Sequence, residues 1–132
     1  MALALGNLEK VRALAVSGRI LAAGGVRAGT ASQLTFYDHV GEKPEKSVDL
    51  PAHVLALASD DAGFVAACAD GALRFFSQAG ALEHEVASAH VGAATGVAIH
   101  GDLVASSGAD GVVHLWSRKT AAKRKGTSEL AF

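Results

Sequence analysis

Val104–Ser117, VASSGADGVVHLWS, aligns without a gap on Phe64–Ser77, FVAACADGALRFFS. Asp70 and Asp110, Gly71 and Gly111, and Phe76 and Trp116 each stand forty residues apart. A weaker copy lies upstream in Leu21–Asp38, LAAGGVRAGTASQLTFYD, with a few residues inserted where the other two have Ala-Asp-Gly. Tyr37 falls there at the position of Phe76 and Trp116. A forty-residue period in a chain of 132 gives about three units of a repeat architecture.

Working outward, each unit reads as short strands separated by turn dipeptides. The first strand is Val11–Val16, Val54–Ser59 or Ala94–Ile99, and the second is Ile20–Gly24, Phe64–Cys68 or Val104–Gly108. The third is Leu34–Tyr37, Leu73–Phe76 or Val113–Trp116, and a looser fourth is Ser47–Leu50, Glu83–Ser88 or Thr127–Phe132. Ser17-Gly18, Asp61-Ala62-Gly63, Asp70-Gly71, His100-Gly101-Asp102 and Asp110-Gly111 mark the turns. Alanine is frequent, but glycine returns too often for any ten-residue helix, so the fold class is all-β. The strands are apolar on both faces, as Leu73, Phe75 and Phe76 illustrate. Such strands belong to sheets covered on both sides, which is what stacking four-stranded sheets face to face achieves. The expected division is an extra strand in 1–10, then units 11–52, 53–92 and 93–132, the last with a basic loop at 118–125.

Composition narrows the classes. The chain is 50% apolar and 19% charged, which excludes a disordered polymer. Cys68 is the single cysteine, so neither a disulfide framework nor a thiolate zinc cluster is available in one copy. No apolar run approaches the ~20 residues that span a bilayer, and MALALGNLEK lacks the pattern of a secretory signal. A soluble, cytoplasmic domain is expected. Residues 1–117 carry a balance of −5 and residues 118–132 a balance of +4, from Arg118, Lys119, Lys123, Arg124 and Lys125 against Glu129. With no aromatic residue among those cations to stack a base, the cluster reads as a solvated loop rather than a nucleic-acid site.

The third unit, AHVGAATGVAIHGDLVASSGADGVVHLWS from Ala89 to Ser117, resembles the WD-repeat β-propeller family. The resemblance covers about residues 11–132 and is closest in that unit. It implies a hydrogen-bonded structural tetrad of His90, Ser106, Asp110 and Trp116, with His90 standing where the family has Gly-His. A buried indole N–H needs an acceptor, which a serine hydroxyl on the adjacent strand supplies. An imidazole then bridges that hydroxyl to the turn carboxylate, whose burial unpaired would be costly. Asp70, Gly71, Phe76, Gly111 and Tyr37 are the matching turn and core positions. The second unit has Ala66 for the serine and Phe76 for the tryptophan, while the first lacks the turn aspartate, so both are expected to rely on apolar packing.

A Ser/His/Asp set also raises hydrolysis, but Ser106 lies mid-strand without an elbow motif, and no enzyme is expected. His39, His53, His84, His100 and His114 show no metal-ligand spacing, and the Gly-rich Ala22–Gly25 is followed by no helix to hold a phosphate. No cofactor or metal is expected. Glu42–Lys46, EKPEK, reads as a solvated connector.

Three blades fall short of the roughly four to eight that close a propeller. The two end faces are then expected to expose apolar patches at or above the ~300–600 Å² of an ordinary monomer's largest. A head-to-tail pair would give six blades, and a different chain carrying the missing blades would serve equally, as would further sequence if these residues are a piece of a longer chain. The strand Ala2–Leu8 is expected to complete a blade across that junction. The implied function is a non-catalytic protein–protein interaction scaffold, with Lys10, Arg12, Arg27 and His53, beside Asp70, as candidates for one partner-binding face. The alternative is a β-trefoil, which closes as a monomer from three forty-residue units and would bind a glycan or small ligand.

Overall fold

The computed structural model describes residues 8–27, 32–124 and 130–131. They form three antiparallel sheets of four strands, each a meander in chain order. The first holds β1 (Leu8–Ser17), β2 (Ile20–Arg27), β3 (Ser32–Asp38) and β4 (Lys43–Leu50). The second holds β5 (Val54–Asp60), β6 (Gly63–Cys68), β7 (Leu73–Ser77) and β8 (Leu82–Val86). The third holds β9 (Ala94–His100), β10 (Leu103–Gly108), β11 (Val112–Ser117) and β12 (Leu130–Ala131). β1 packs beside β5 and β5 beside β9, so the first strand of every sheet lines the inside of the stack. Three separate sheets of this order are propeller blades and not a β-trefoil. Among the described residues no helix is long and apolar enough to cross a membrane.

Two cores result, one in each gap between blades. Between blades 1 and 2, Ile20, Leu34 and Phe36 meet Val54, Phe64 and Phe76. Phe36 lies edge-on to Phe64 at 5.7 Å between ring centroids and 5.9 Å from Phe76. Between blades 2 and 3, Val65, Leu73 and Phe75 meet Ala94, Val104 and Trp116. Blade 2 feeds both gaps, and all six residues of β6 are buried. Each fully buried Phe or Leu contributes about 1.5–3 kcal/mol relative to exposure, so the doubly apolar strands noted in the sequence stabilise two interfaces at once.

The structure corrects several local expectations. Lys43–Lys46 belong to β4 rather than to a connector, since Tyr37 pairs with Pro44 and Asp38 with Lys43. β4 is an outer edge strand, exposed over its first five residues. Proline and lysine are tolerated there because one row of backbone groups faces solvent. Leu8–Lys10 continue β1, with Leu8 opposite Arg27, so the first blade starts before residue 11. The remainder of the expected amino-terminal strand, residues 1–7, lies outside the described residues. The fourth strand of blade 3 is seen only where Val113 pairs with Leu130 and Val112 with Ala131.

Arg118 is not solvated. It is buried, its Nε donates to Asp60 Oδ2 at 2.8 Å and its Nη2 to Asp60 Oδ1 at 3.1 Å. Its guanidinium also stands 5.8 Å from the Phe75 ring centroid. Arg118 thereby ties blade 3 to blade 2, because a planar fork satisfies a carboxylate while its face rests on an aromatic ring.

Candidate functional site: the third-blade network and its counterparts

Ser106 on β10 pairs across the sheet with His114 on β11, and Val104 with Trp116, which puts all four side chains on the face toward blade 2. His90 enters from the segment before β9. The structure brings His90, Ser106, Asp110 and Trp116 into one chain of hydrogen bonds. Trp116 Nε1 donates to Ser106 Oγ at 2.8 Å. Ser106 Oγ meets His90 Nε2 at 2.8 Å, and His90 Nδ1 meets Asp110 Oδ1 at 3.2 Å. One tautomer satisfies every partner, with the serine hydroxyl donating to Nε2 and the Nδ1 hydrogen donating to the carboxylate. Asp110 also accepts the backbone N–H of Val91 at 3.0 Å and of Val112 at 3.2 Å. Burial pushes the Asp110 carboxyl up, yet those N–H donors and His90 together hold it below the usual carboxylate range.

Two glycines make the site possible. Gly71, in the blade 2 turn, has φ +86, and a side chain there would strike the His90 carbonyl oxygen at 2.5 Å. Its own carbonyl accepts the His90 N–H at 3.0 Å. The turn of one blade thus seats the histidine of the next. Gly108 was missed at sequence level. A Cβ there would meet His90 Nδ1 at 2.5 Å and Asp110 Oδ1 at 2.7 Å, so the imidazole occupies the space a side chain would fill. The available signal was Gly108 standing where the second unit has Cys68. Gly111 adopts φ +75 and closes its turn on the Gly108 carbonyl at 3.1 Å.

Blade 2 solves the same turn differently. Arg74 stands at the strand position of His114, and its Nη2 and Nη1 donate to Asp70 at 2.8 and 3.2 Å. Its Nε donates to Glu85 at 2.9 Å. The arginine holds Asp70 below the usual carboxylate range, and Asp70 in turn raises the already high arginine value. Blade 2 therefore does not rely on apolar packing alone, which Ala66 and Phe76 in place of the serine and tryptophan had suggested. Phe76 lies where Trp116 lies and packs in the inner core without a polar partner. In blade 1, Thr35 takes the Arg74 position, beside Gln33 and Ser47, and Tyr37 is half-buried.

Of the candidate partner face, Lys10 and Arg12 are exposed near the start of β1, and Arg27 ends β2 opposite Leu8. His53 precedes β5, half-buried, with Nδ1 2.6 Å from Ser32 Oγ. These positions share the edge of the blades that also carries the Asp70 turn.

A cavity of about 400 Å³ opens beside the network, lined in part by Val91, Asp110, His114 and Trp116. The ligating atoms of His90, Asp110 and His114 lie within 4.8 Å of one another, a set that suits a borderline divalent cation. Both ring nitrogens of His90 are already engaged, however, so a cation would displace it from Ser106 or Asp110. Ser106 is 1% exposed and its oxygen accepts the indole N–H, which leaves no line of approach to an electrophile.

Stacked four-stranded meanders joined by these turns define a β-propeller-type, repeat-built protein. Among solved structures, the computationally designed Ika4 protein superposes with a TM-score of 0.77 at 23% identity, covering 98% of this chain and 82% of its own. The computationally designed Ika8 protein gives 0.75 at 22% identity, covering 92% of this chain and 38% of its own. Sqt1 of Saccharomyces cerevisiae, a WD-repeat protein, gives 0.73 at 11% identity over 86% of this chain and 34% of its own. At these identities the likeness establishes the fold, and the chain spans under two fifths of Ika8 and Sqt1. No protein-family model matches the sequence, and no curated protein matches it.

Proposed function

We propose that this chain is a non-catalytic protein–protein interaction scaffold whose WD-type blades are completed into a closed propeller by further polypeptide. A second copy or a different chain with complementary blades would supply it. The carrying observation is the outward face of blade 1, where Leu14 is 60% and Val16 53% exposed. Their counterparts one and two repeats on, Leu57, Val97 and Ile99, pack against the blade-to-blade cores. Among the described residues, blade 1 thus presents an apolar face with no blade packed on it. The Ser/His/Asp geometry does not favour hydrolysis, because its serine oxygen is sealed beneath Trp116. The edge carrying Lys10, Arg12, Arg27 and His53 is the proposed contact surface for a bound partner.

The test is absolute mass by light scattering, for the chain alone and co-expressed with neighbouring gene products, together with binding of an apolar dye. The expected outcome is strong dye binding by any free chain and its loss on complex formation. A compact 13.3 kDa monomer that binds no dye and joins no other chain overturns the proposal.

A further inference from the structure

We infer that the occupant of the bare blade 1 face is blade 3 of a second copy, joined head to tail through a latch between His39 and His100. The inference deepens the scaffold reading and rests on it. The two junctions inside the chain provide the pattern. In blade 2, the residue two places after Phe76 is Gln78, whose Nε2 donates to Ser17 Oγ at 2.9 Å. In blade 3, the residue two places after Trp116 is Arg118, which holds Asp60 at 2.8 Å. Ser17 and Asp60 are each the last residue of the first strand in the preceding blade. One rule therefore describes both contacts.

Applied to the open ends, the rule selects a single pair. Two places after Tyr37 stands His39, and the last residue of β9 is His100. Both are exposed. His39 is already placed as Gln78 is. Gln78 Nε2 donates to the carbonyl of Asp61 in its own blade at 2.9 Å, and His39 Nε2 lies 3.0 Å from the matching carbonyl of Gly18. Among the described residues, no blade precedes His39 as blade 1 precedes Gln78.

Side-chain size supports the same register. In both internal junctions the leading blade offers small residues on its first strand, Ala13 and Ala15 in one and Ala56 in the other. The following blade inserts larger ones, Leu57 in the first and Val97 and Ile99 in the second. On the outward face of blade 3, Gly96, Ala98, Ala105 and Ser107 line a shallow groove of about 220 Å³. Leu14 and Val16 are the residues that would enter it. A heterologous contact of this kind closes when its rotation fits, and two copies supply six blades.

The experiment is sedimentation equilibrium over a wide concentration range on the full chain and three variants. His39→Arg with His100→Asp copies the Arg118–Asp60 clamp onto the junction. His39→Asp with His100→Asp places like charges there. Leu14→Glu puts a charge into the groove and, being exposed, leaves each blade folded, as its β-sheet circular dichroism verifies. The wild-type chain is expected at about twice 13.3 kDa, with no growth beyond that mass. The Arg/Asp pair is expected to tighten association about tenfold, while the Asp/Asp pair and Leu14→Glu give monomer. A wild-type chain monomeric throughout overturns self-pairing, while a complex with a complementary chain would leave the scaffold reading intact. A dimer indifferent to all three variants overturns the latch and its register.

Discussion

Ser106 stands between two groups that both need its oxygen, the indole of Trp116 and the imidazole of His90. Deleting the hydroxyl strands both inside the protein. Ser106→Ala should therefore cost about 2–3 kcal/mol, from the penalty of leaving buried polar groups unpaired. Trp116→Phe removes a donor and some packing but strands no acceptor, because the serine keeps His90, so it should cost less, about 1–2 kcal/mol. The double variant should fall short of the sum, since the two share one contact. Urea midpoints of the four proteins close the cycle, and strict additivity would show that the bonds are not coupled. Gly108→Ala tests the space for the ring, because its methyl group would displace His90 or Asp110. The tetrad positions were legible through the resemblance of the third unit to the WD-repeat pattern and not through recurrence, since the second unit has Ala66 where the third has Ser106. Gly108 was not, because a glycine chosen for space looks the same as one chosen for a turn.

The polar position of the third strand is filled differently in each blade, by Thr35, Arg74 or His114. In blade 2 that residue joins the turn to the outer strand, because Arg74 binds Asp70 and Glu85 together. Arg74→Lys keeps the charge but loses the fork, and should destabilise by about 1–2 kcal/mol. Arg74→Ala also leaves a void beside Cys68 and should cost about 2–4 kcal/mol, discounted for the partial exposure of both carboxylates. Denaturant melts of the two variants rank them, and equal midpoints would deny the fork its role. Strand order and sheet number could be read from the repeat, because short apolar runs bounded by turn dipeptides are local properties. The reach of long side chains between blades could not. Arg118 read as part of a solvated basic loop because nothing in sequence places it over Phe75 and against Asp60. EKPEK read as a connector for a related reason, since an edge strand has no apolar face to reveal it.

At the scale of the molecule, carboxylates hold turns and blade junctions in place, so acid should dismantle them together. Asp38 is held at about 2 by the Arg19 guanidinium and by the N–H groups of Gly41 and Val40, with burial opposing. Burial raises Asp60, but Arg118 and the N–H groups of Ala62 and Gly63 outweigh it, and its value is lowered. Asp70 and Asp110 are lowered as well. Each of these groups binds a proton more weakly folded than unfolded. Its contribution is complete above the unfolded value, near 4 for an aspartate, and is lost as pH falls through the folded value. The melting temperature should therefore be nearly level from pH 7 to about 5 and fall steeply between about pH 4 and 2. Asp60→Asn separates the junction from the turns, since it removes the charge Arg118 needs while leaving Asp38, Asp70 and Asp110 in place. That variant should melt lower than wild type at pH 7 and approach it as pH falls through the lowered folded value of Asp60, where the wild-type carboxylate also loses its charge. A constant offset between the two melting curves across that range would mean that Arg118 and Asp60 join blades 2 and 3 by shape rather than by charge.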